Sequence, residues 1–283
     1  GALTLCLSDS CFLLCLEVMM VTFRISVQHN LQESRMTNTA AYPSTPIIHA
    51  VTDKTPVLLD TLIEMFLTVF PEDRRYVPLI QHWAQCARVR DSVAIFHLWM
   101  LEHNGEMAGF RIFQYLRQRH FGYGQFVGLL PQYRSRGLGW ILQRYTIEQI
   151  CADAAAQGQK TPIGFCGEIA DPSLASDEGE VLQRQQRKEI FGRFGAHFPH
   201  VNYAAPYMVA GHEEDSQTPE SVLTSRLFYI IPIRPTLSFE KSQIAHFVRG
   251  VLLDGYRLNR QSPLVNETLA SIGRPSHVLV PHE

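Results

Sequence analysis

The pair Asn104-Gly105 lies between two strand-like runs, Val93 to Glu102 and Met107 to Leu116, with His103 and Glu106 completing the turn. Both central positions of a two-residue hairpin need positive φ, which asparagine and glycine adopt at little cost, so the two runs pair antiparallel. A third run, roughly Tyr123 to Leu130, follows a glycine-containing turn and ends at Pro131. An antiparallel meander therefore occupies the middle of the chain, and every other element has to be arranged around it.

Ahead of the meander, Ile47, Ile48, Ala50 and Val51 form a short apolar run after Pro46, read as a first strand. Leu58, Leu59, Leu62, Ile63, Phe66, Leu67 and Phe70 then recur at helical spacing, with Pro56 near the start and Pro71 as the stop. A second helix is expected from Tyr76 to Arg88. Behind the meander, Leu138, Ile141, Leu142, Tyr145 and Ile150 mark a helix that ends near Gly158. Pro162 to Ala170 reads as a buried strand, Asp171 to Glu180 as an exposed acidic loop, and Gln185 to Phe194 as a helix stopped by Gly195. Val201 to Tyr203 and Leu227 to Ile233 are further strands, and Ile244, Phe247, Val248, Val251 and Leu252 give a C-terminal amphipathic helix. The order predicts a mixed α/β layer architecture, with one domain from about Ile47 to Pro235 and a helical extension over 236–283.

The chain has 283 residues, 46% of them hydrophobic and 18% charged, which is ordinary for a soluble globular protein. A net charge of -2 gives no global sign of a nucleic-acid partner, which would usually meet a basic face, and leaves room for a local basic patch. The six cysteines show no C-x-x-C pair, so neither a disulfide scaffold nor a metal knuckle is expected, and a cytoplasmic location is the simpler reading. The first 35 residues differ from the rest, carrying Cys6, Cys11 and Cys15 and an apolar run from Cys11 to Phe23. That run contains Glu17 and falls short of the roughly 20 residues a bilayer span needs. Asp9 stands where a secretory leader would be basic. Residues 1–35 therefore read as an extension, disordered or artefactual, ahead of a domain beginning near Met36, and no membrane partner is expected.

The chemistry concentrates where the third strand ends. Arg134-Ser135-Arg136-Gly137-Leu138-Gly139 joins that strand to a helix. The first amides of a helix lack internal acceptors and the helix dipole adds positive potential there, so such a loop is an anion site. Gly137 and Gly139 allow close approach to the backbone, and Arg134 and Arg136 can add charge-assisted bonds. The P-loop is excluded because no Gly-Lys-Ser/Thr follows. The dinucleotide fingerprint is excluded because Leu142 stands where a third small residue is needed and an antiparallel hairpin precedes the loop.

Leu129-Leu130-Pro131-Gln132-Tyr133-Arg134-Ser135-Arg136-Gly137-Leu138-Gly139 resembles the Q/R-x-x-G-x-G/A motif of the GNAT superfamily, including the strand end, the proline and the aromatic before the first arginine. The resemblance implies a GNAT acyltransferase fold, with a central, mostly antiparallel sheet flanked by helices. It implies an acetyl-coenzyme A-dependent N-acetyltransferase in which a primary amine attacks the thioester directly. Arg134, Ser135, Arg136, Gly137, Leu138 and Gly139 would hold the pyrophosphate, and Leu129 and Leu130 would align the pantetheine arm. The strand Pro162 to Ala170 would splay away to open the cleft. Acetyl-coenzyme A is the expected co-substrate, without a metal. The main rival is a non-catalytic sensor of acyl-coenzyme A, and a third reading is an enzyme for longer acyl groups.

Glu168, on the strand bordering that cleft, is the candidate base, since burial there would raise its pKa. A structural acid paired with an arginine is the alternative. The tyrosine that often serves as acid in this family is replaced by Phe191 in Arg187-Lys188-Glu189-Ile190-Phe191-Gly192-Arg193-Phe194-Gly195. Tyr203 and Tyr207 are the substitutes to consider. Cys166 reads as a small core residue, and His197 and His200 make no recognised metal pattern. The acidic run Asp171, Asp177, Glu178 and Glu180 suggests a small-molecule or peptide amine acceptor bearing positive charge. Phe247, Val248, Val251 and Leu252 either cover the domain's own core or mediate a homodimer.

Overall fold

The computed structural model describes residues 45–87, 93–206, 223–234, 236 and 238–273, within a compact unit from Thr45 to Glu283. Seven strands form one sheet: β1 (Ile47–Ala50), β2 (Ala94–His103), β3 (Glu106–Leu116), β4 (Phe121–Leu129), β5 (Gly164–Ala170), β6 (Tyr203–Ala205) and β7 (Thr224–Pro232). Their spatial order is β1-β2-β3-β4-β5-β7-β6. All neighbours pair antiparallel except β4 and β5. The meander is as the Asn-Gly pair requires, with φ of 56° at Asn104 and 83° at Gly105.

Six α-helices accompany the sheet among the described residues: α1 (Pro56–Val69), α2 (Val77–Cys86), α3 (Leu138–Ala156), α4 (Glu178–Arg193), α5 (Lys241–Gly250) and α6 (Pro263–Ser271). Strand alternation sends successive side chains to opposite faces, and the core divides accordingly. On one face, Leu62, Met65, Phe66, Ile80 and Trp83 of α1 and α2 pack with Phe247 and Val248 of α5 against Phe110, Ile112, Tyr123 and Cys166. On the other, Ile150 and Ala154 of α3 and Phe191 of α4 cover Phe113, Tyr115, Phe165 and Tyr229. The sheet is thus sandwiched between helical layers.

Most element bounds lie within a few residues of those expected. Helix α4 begins seven residues before Gln185, because the Asp177 carboxylate caps its first turn by accepting from the Glu180 amide. Helix α6 was not expected. Phe247, Val248, Val251 and Leu252 are all 0% exposed, so these side chains are spent in the chain's own core. After Gly250 the helix widens into a π turn, Val251–Gly255, which ends at Tyr256.

The feature that shapes the site is a split in the sheet. Strands β4 and β5 pair only at Gly122↔Phe165, Tyr123↔Cys166 and Gly124↔Gly167. Beyond Gly124, β4 continues beside β3 and β5 continues beside β7. The cause lies in β4: Ile112 pairs with Phe126 and Phe113 with Gly124, so Gln125 is an extra, bulged residue. A bulge bends its strand and increases the local twist, which turns the upper half of β4 away from β5.

Candidate functional site

The loop from Arg134 to Gly137 is exposed and stands at the open end of the split. Tyr133 fixes its base: the ring is 6% exposed, the hydroxyl donates to Glu106 of the hairpin turn, and the Arg136 guanidinium lies 5.7 Å from the ring centroid. The Arg134 Nε donates to the Leu129 carbonyl at 3.2 Å, and the Leu130 amide donates to Ala108. Ser135 adopts a φ of 60°, an uncommon conformation for a residue with a side chain. Gly137, at φ 77°, is the N-cap of α3, and no side chain caps that end. The first bonds of the helix run from the Trp140 and Ile141 amides to the Gly137 carbonyl. The amides before them lack an intrahelical acceptor, as at any helix start, and face an exposed loop.

The surroundings are cationic. Arg187, on α4, still meets solvent, yet crowding by the protein, followed by the charges of Arg226, Arg134 and Arg184, holds its pKa below the ordinary value. Arg184 is paired with Glu180 at 2.5 Å. Like charges that converge on one region raise each other's energy unless an anion joins them.

Below the loop, inside the molecule, sits Glu168. Three tyrosines from separate elements donate to its Oε1: Tyr123 of β4 at 2.7 Å, Tyr256 after the π turn at 2.8 Å and Tyr203 of β6 at 3.1 Å. Among the described residues every bond recorded at this carboxylate lands on Oε1, which leaves Oε2 for a proton. Glu168 as a residue is half-buried. Burial pushes its pKa up, while the bonds from Tyr123 and Tyr256, the Arg226 charge and the Tyr203 bond pull it down. The net direction is upward, so desolvation outweighs the three hydroxyl donors and the Arg226 charge together. Burial, then the neighbouring carboxylate, pushes all three tyrosines well above the usual range, so they remain protonated donors. Gln114, opposite Tyr123 in the β3–β4 pair, is 1% exposed with neither amide atom partnered.

Several expected site residues come together here and others do not. Glu168 and Tyr203 are hydrogen-bonded to each other. Tyr207 lies outside the described residues. Phe191 is 6% exposed and packs on Tyr229 at 4.5 Å between ring centroids, so it serves the core. Cys166 is fully buried, and His197 is joined to Ile230 by a β-bridge. Asp171, Asp177 and Glu180 are occupied locally, capping Ser173, capping α4 and holding Ser176 with Arg184. No group of three or more histidine, cysteine or acidic residues able to hold a metal occurs among the described residues. No helix among them is long and apolar enough to cross a membrane. Sequence reasoning missed Tyr123, Tyr256 and Arg226. Tyr123 was findable, since it lies on the strand leading into the loop and can face a neighbouring strand. Tyr256 reaches Glu168 across 88 positions of chain, and nothing local marks it.

Residues 58–171 match the model of the acetyltransferase (GNAT) family, a segment that runs from α1 through β5 and includes both the loop and Glu168. No curated protein sequence matches the chain. Among solved structures, similar chains include a GNAT-family protein from Bacteroides thetaiotaomicron (15% identity, 75% of this chain and 99% of that one, TM-score 0.49). The ribosomal-protein-S18-alanine N-acetyltransferase of Escherichia coli has 12% identity, covering 69% of this chain and 99% of its own, with a TM-score of 0.43. An acetyltransferase of Bacillus subtilis in complex with coenzyme A has 10% identity over 67% and 100%, with a TM-score of 0.41.

Proposed function

We propose that this chain, which carries a GNAT-family acetyltransferase domain over residues 58–171, uses acetyl-coenzyme A to acetylate a primary amine. The observation that carries this reading is the position of Glu168, a buried carboxylate with one oxygen saturated by three tyrosines and the other left over, beside a sheet that has been pulled open. The amides of Ser135 to Gly139, with Arg134 and Arg136, would take the pyrophosphate at the helix mouth. Leu129 and Leu130 would align the pantetheine along the unpaired side of β4.

Glu168 with a raised pKa suits a base that must accept a proton from an ammonium near neutrality. The same proton can then go to the departing thiolate, because a carboxylic acid is far stronger than a thiol. The tyrosines are poor candidates for that role, since burial has made them weaker acids than usual. They act as positioning residues that hold Oε1 and aim Oε2. This ordering accounts for Phe191: once one carboxyl group moves the proton both ways, the tyrosine it replaces is dispensable. The missing tyrosine was also the motive for the sensor reading, which turnover of an amine would decide against. A buried carboxylate near the cleft favours a cationic acceptor over a neutral one. Arg111 and Tyr229 fill the space beside Gly124 and Gly167 at the closed end of the split, which supports a short acyl group over a long one.

Two measurements test the reading. Titration calorimetry with coenzyme A should show binding by folded protein, and an amine panel with acetyl-coenzyme A should release thiol. Binding without thiol release from any amine would restore the sensor, and absence of binding would end the proposal.

A further inference from the structure

Arg111 is 2% exposed, and its Nε and Nη2 have no hydrogen-bond partner. It projects from β3 on the face opposite Glu168, the face that holds Phe113, Phe165 and Tyr229. Its guanidinium lies 4.9 Å from the Phe165 ring centroid and donates to the Tyr229 hydroxyl. It reaches that place because Gly124 has no side chain: Nη2 is 2.9 Å from the point where a β-carbon on Gly124 would stand. Gly167, the partner of Gly124, likewise makes room for Tyr229, whose hydroxyl is 2.5 Å from the corresponding point. Gly124 and Gly167 are the last β4–β5 pair, so this guanidinium lies against the closed end of the split.

The Phe165 ring and the Tyr229 hydroxyl engage only part of this cation, and Nε and Nη2 are left over. A buried guanidinium with unfilled donors is costly, and an apolar side chain of similar volume would pack the position at no such penalty. Burial also depresses its pKa, which marks the strain of keeping it charged. Among the described residues no carboxylate is recorded beside it. An oxygen bearing negative charge, present for part of the time, would make sense of both the charge and the empty donors.

We propose that Arg111 is a catalytic residue that receives the thioester oxygen as it becomes an oxyanion. The inference rests on the acetyl-transfer reading above. Glu168 would attend the amine from one face of the split while Arg111 attends the oxygen from the other. The amine nitrogen attacks the carbonyl carbon, and the π pair moves onto oxygen opposite Nε and Nη2. The C–O double bond then re-forms, the C–S bond breaks, and the thiolate takes the proton that Glu168 removed from the amine. A single donor that meets the developing charge is worth about 10²–10³ in rate.

The test uses the full chain. Arg111→Met should retain coenzyme A affinity within about threefold while kcat falls by about 10²-fold or more with little change in KM. Arg111→Lys should recover part of the loss. Wild-type kcat in a folded, coenzyme A-binding Arg111→Met overturns the proposal. So does a fall in coenzyme A affinity that matches the loss in kcat/KM, which would make Arg111 a ground-state anchor. A wild-type preference for succinyl- over acetyl-coenzyme A that Arg111→Met abolishes would also overturn it, because the guanidinium would then be a carboxylate receptor. The wild-type protein supplies a check independent of folding: the infrared carbonyl stretch of bound [1-13C]acetyl-coenzyme A should move to lower wavenumber than in water. An unshifted band overturns the proposal. Failure to bind coenzyme A at all is a separate result, which removes the acetyl-transfer reading and this inference with it.

Discussion

At the scale of single residues, Glu168 concentrates opposing effects on one group. Its pKa is raised because loss of hydration outweighs its hydrogen bonds and the Arg226 charge. A carboxyl group whose folded pKa exceeds the unfolded one stabilises the fold below the unfolded pKa, and that contribution is lost as pH rises through the folded pKa. Glutamine does not titrate, so the melting temperature of Glu168→Gln relative to wild type should increase from about pH 4 to about pH 8. Its kcat should fall by about 10²–10⁴ and the acidic limb of the rate profile should vanish. Tyr256→Phe removes a bond that favours the charged carboxylate, so the acidic limb should move to higher pH. Scanning calorimetry with pH-rate profiles checks all three. A limb unmoved in Tyr256→Phe would mean that the tyrosine does not tune the base.

At the scale of elements, what was readable depended on whether the cause was local. The hairpin followed from Asn104-Gly105, and the start of helix α3 followed from the 134–139 spacing, because turn conformations and helix starts are written in a few adjacent residues. Glu168 was readable as a base candidate since it sits on the strand after that helix. The bulge at Gln125 was not readable, because Gly122, Gly124 and Gly128 all lie on the same strand and none of them singles out the bulged position, and the depth of the split depends on it. Tyr256 depends on a π turn, which appears where packing rather than propensity decides the helix. Gly250, just before that turn, offers a probe. A β-carbon there would stand 2.5 Å from the Phe121 ring and 2.9 Å from Arg119 Cγ. Phe121 is fully buried and cannot swing away, and Arg119 is held by Asp254 at 2.6 Å. Gly250→Ala should therefore cost about 1–3 kcal/mol through overpacking, despite alanine's better helix propensity. It should also lower kcat by displacing Tyr256. A thermal melt showing a gain in stability would mean that α5 is free to shift on the sheet.

At the scale of the whole molecule, the family match ends at residue 171, yet the side chains gathered around Glu168 include residues beyond that point. Strand β7 inserts between β5 and β6 and sets Arg226 near Glu168, β6 brings Tyr203, and the C-terminal segment brings Tyr256. That segment is held by more than its tyrosine. Phe247, Val248, Val251 and Leu252 are fully buried in the core shared with α1 and α2, and Arg119 of the β3–β4 turn pairs with Asp254. Burying an aliphatic or aromatic side chain of this size contributes about 1.5–3 kcal/mol. Four of them approach the entire net stability of a domain, about 5–15 kcal/mol. A chain ending at Pro232 should therefore fail to fold cooperatively, and it should lose near-ultraviolet circular dichroism along with coenzyme A binding. If it instead melts as sharply as the full chain and binds coenzyme A, the C-terminal helices are a detachable cover, and the tyrosine they contribute is an accessory to a site complete without it.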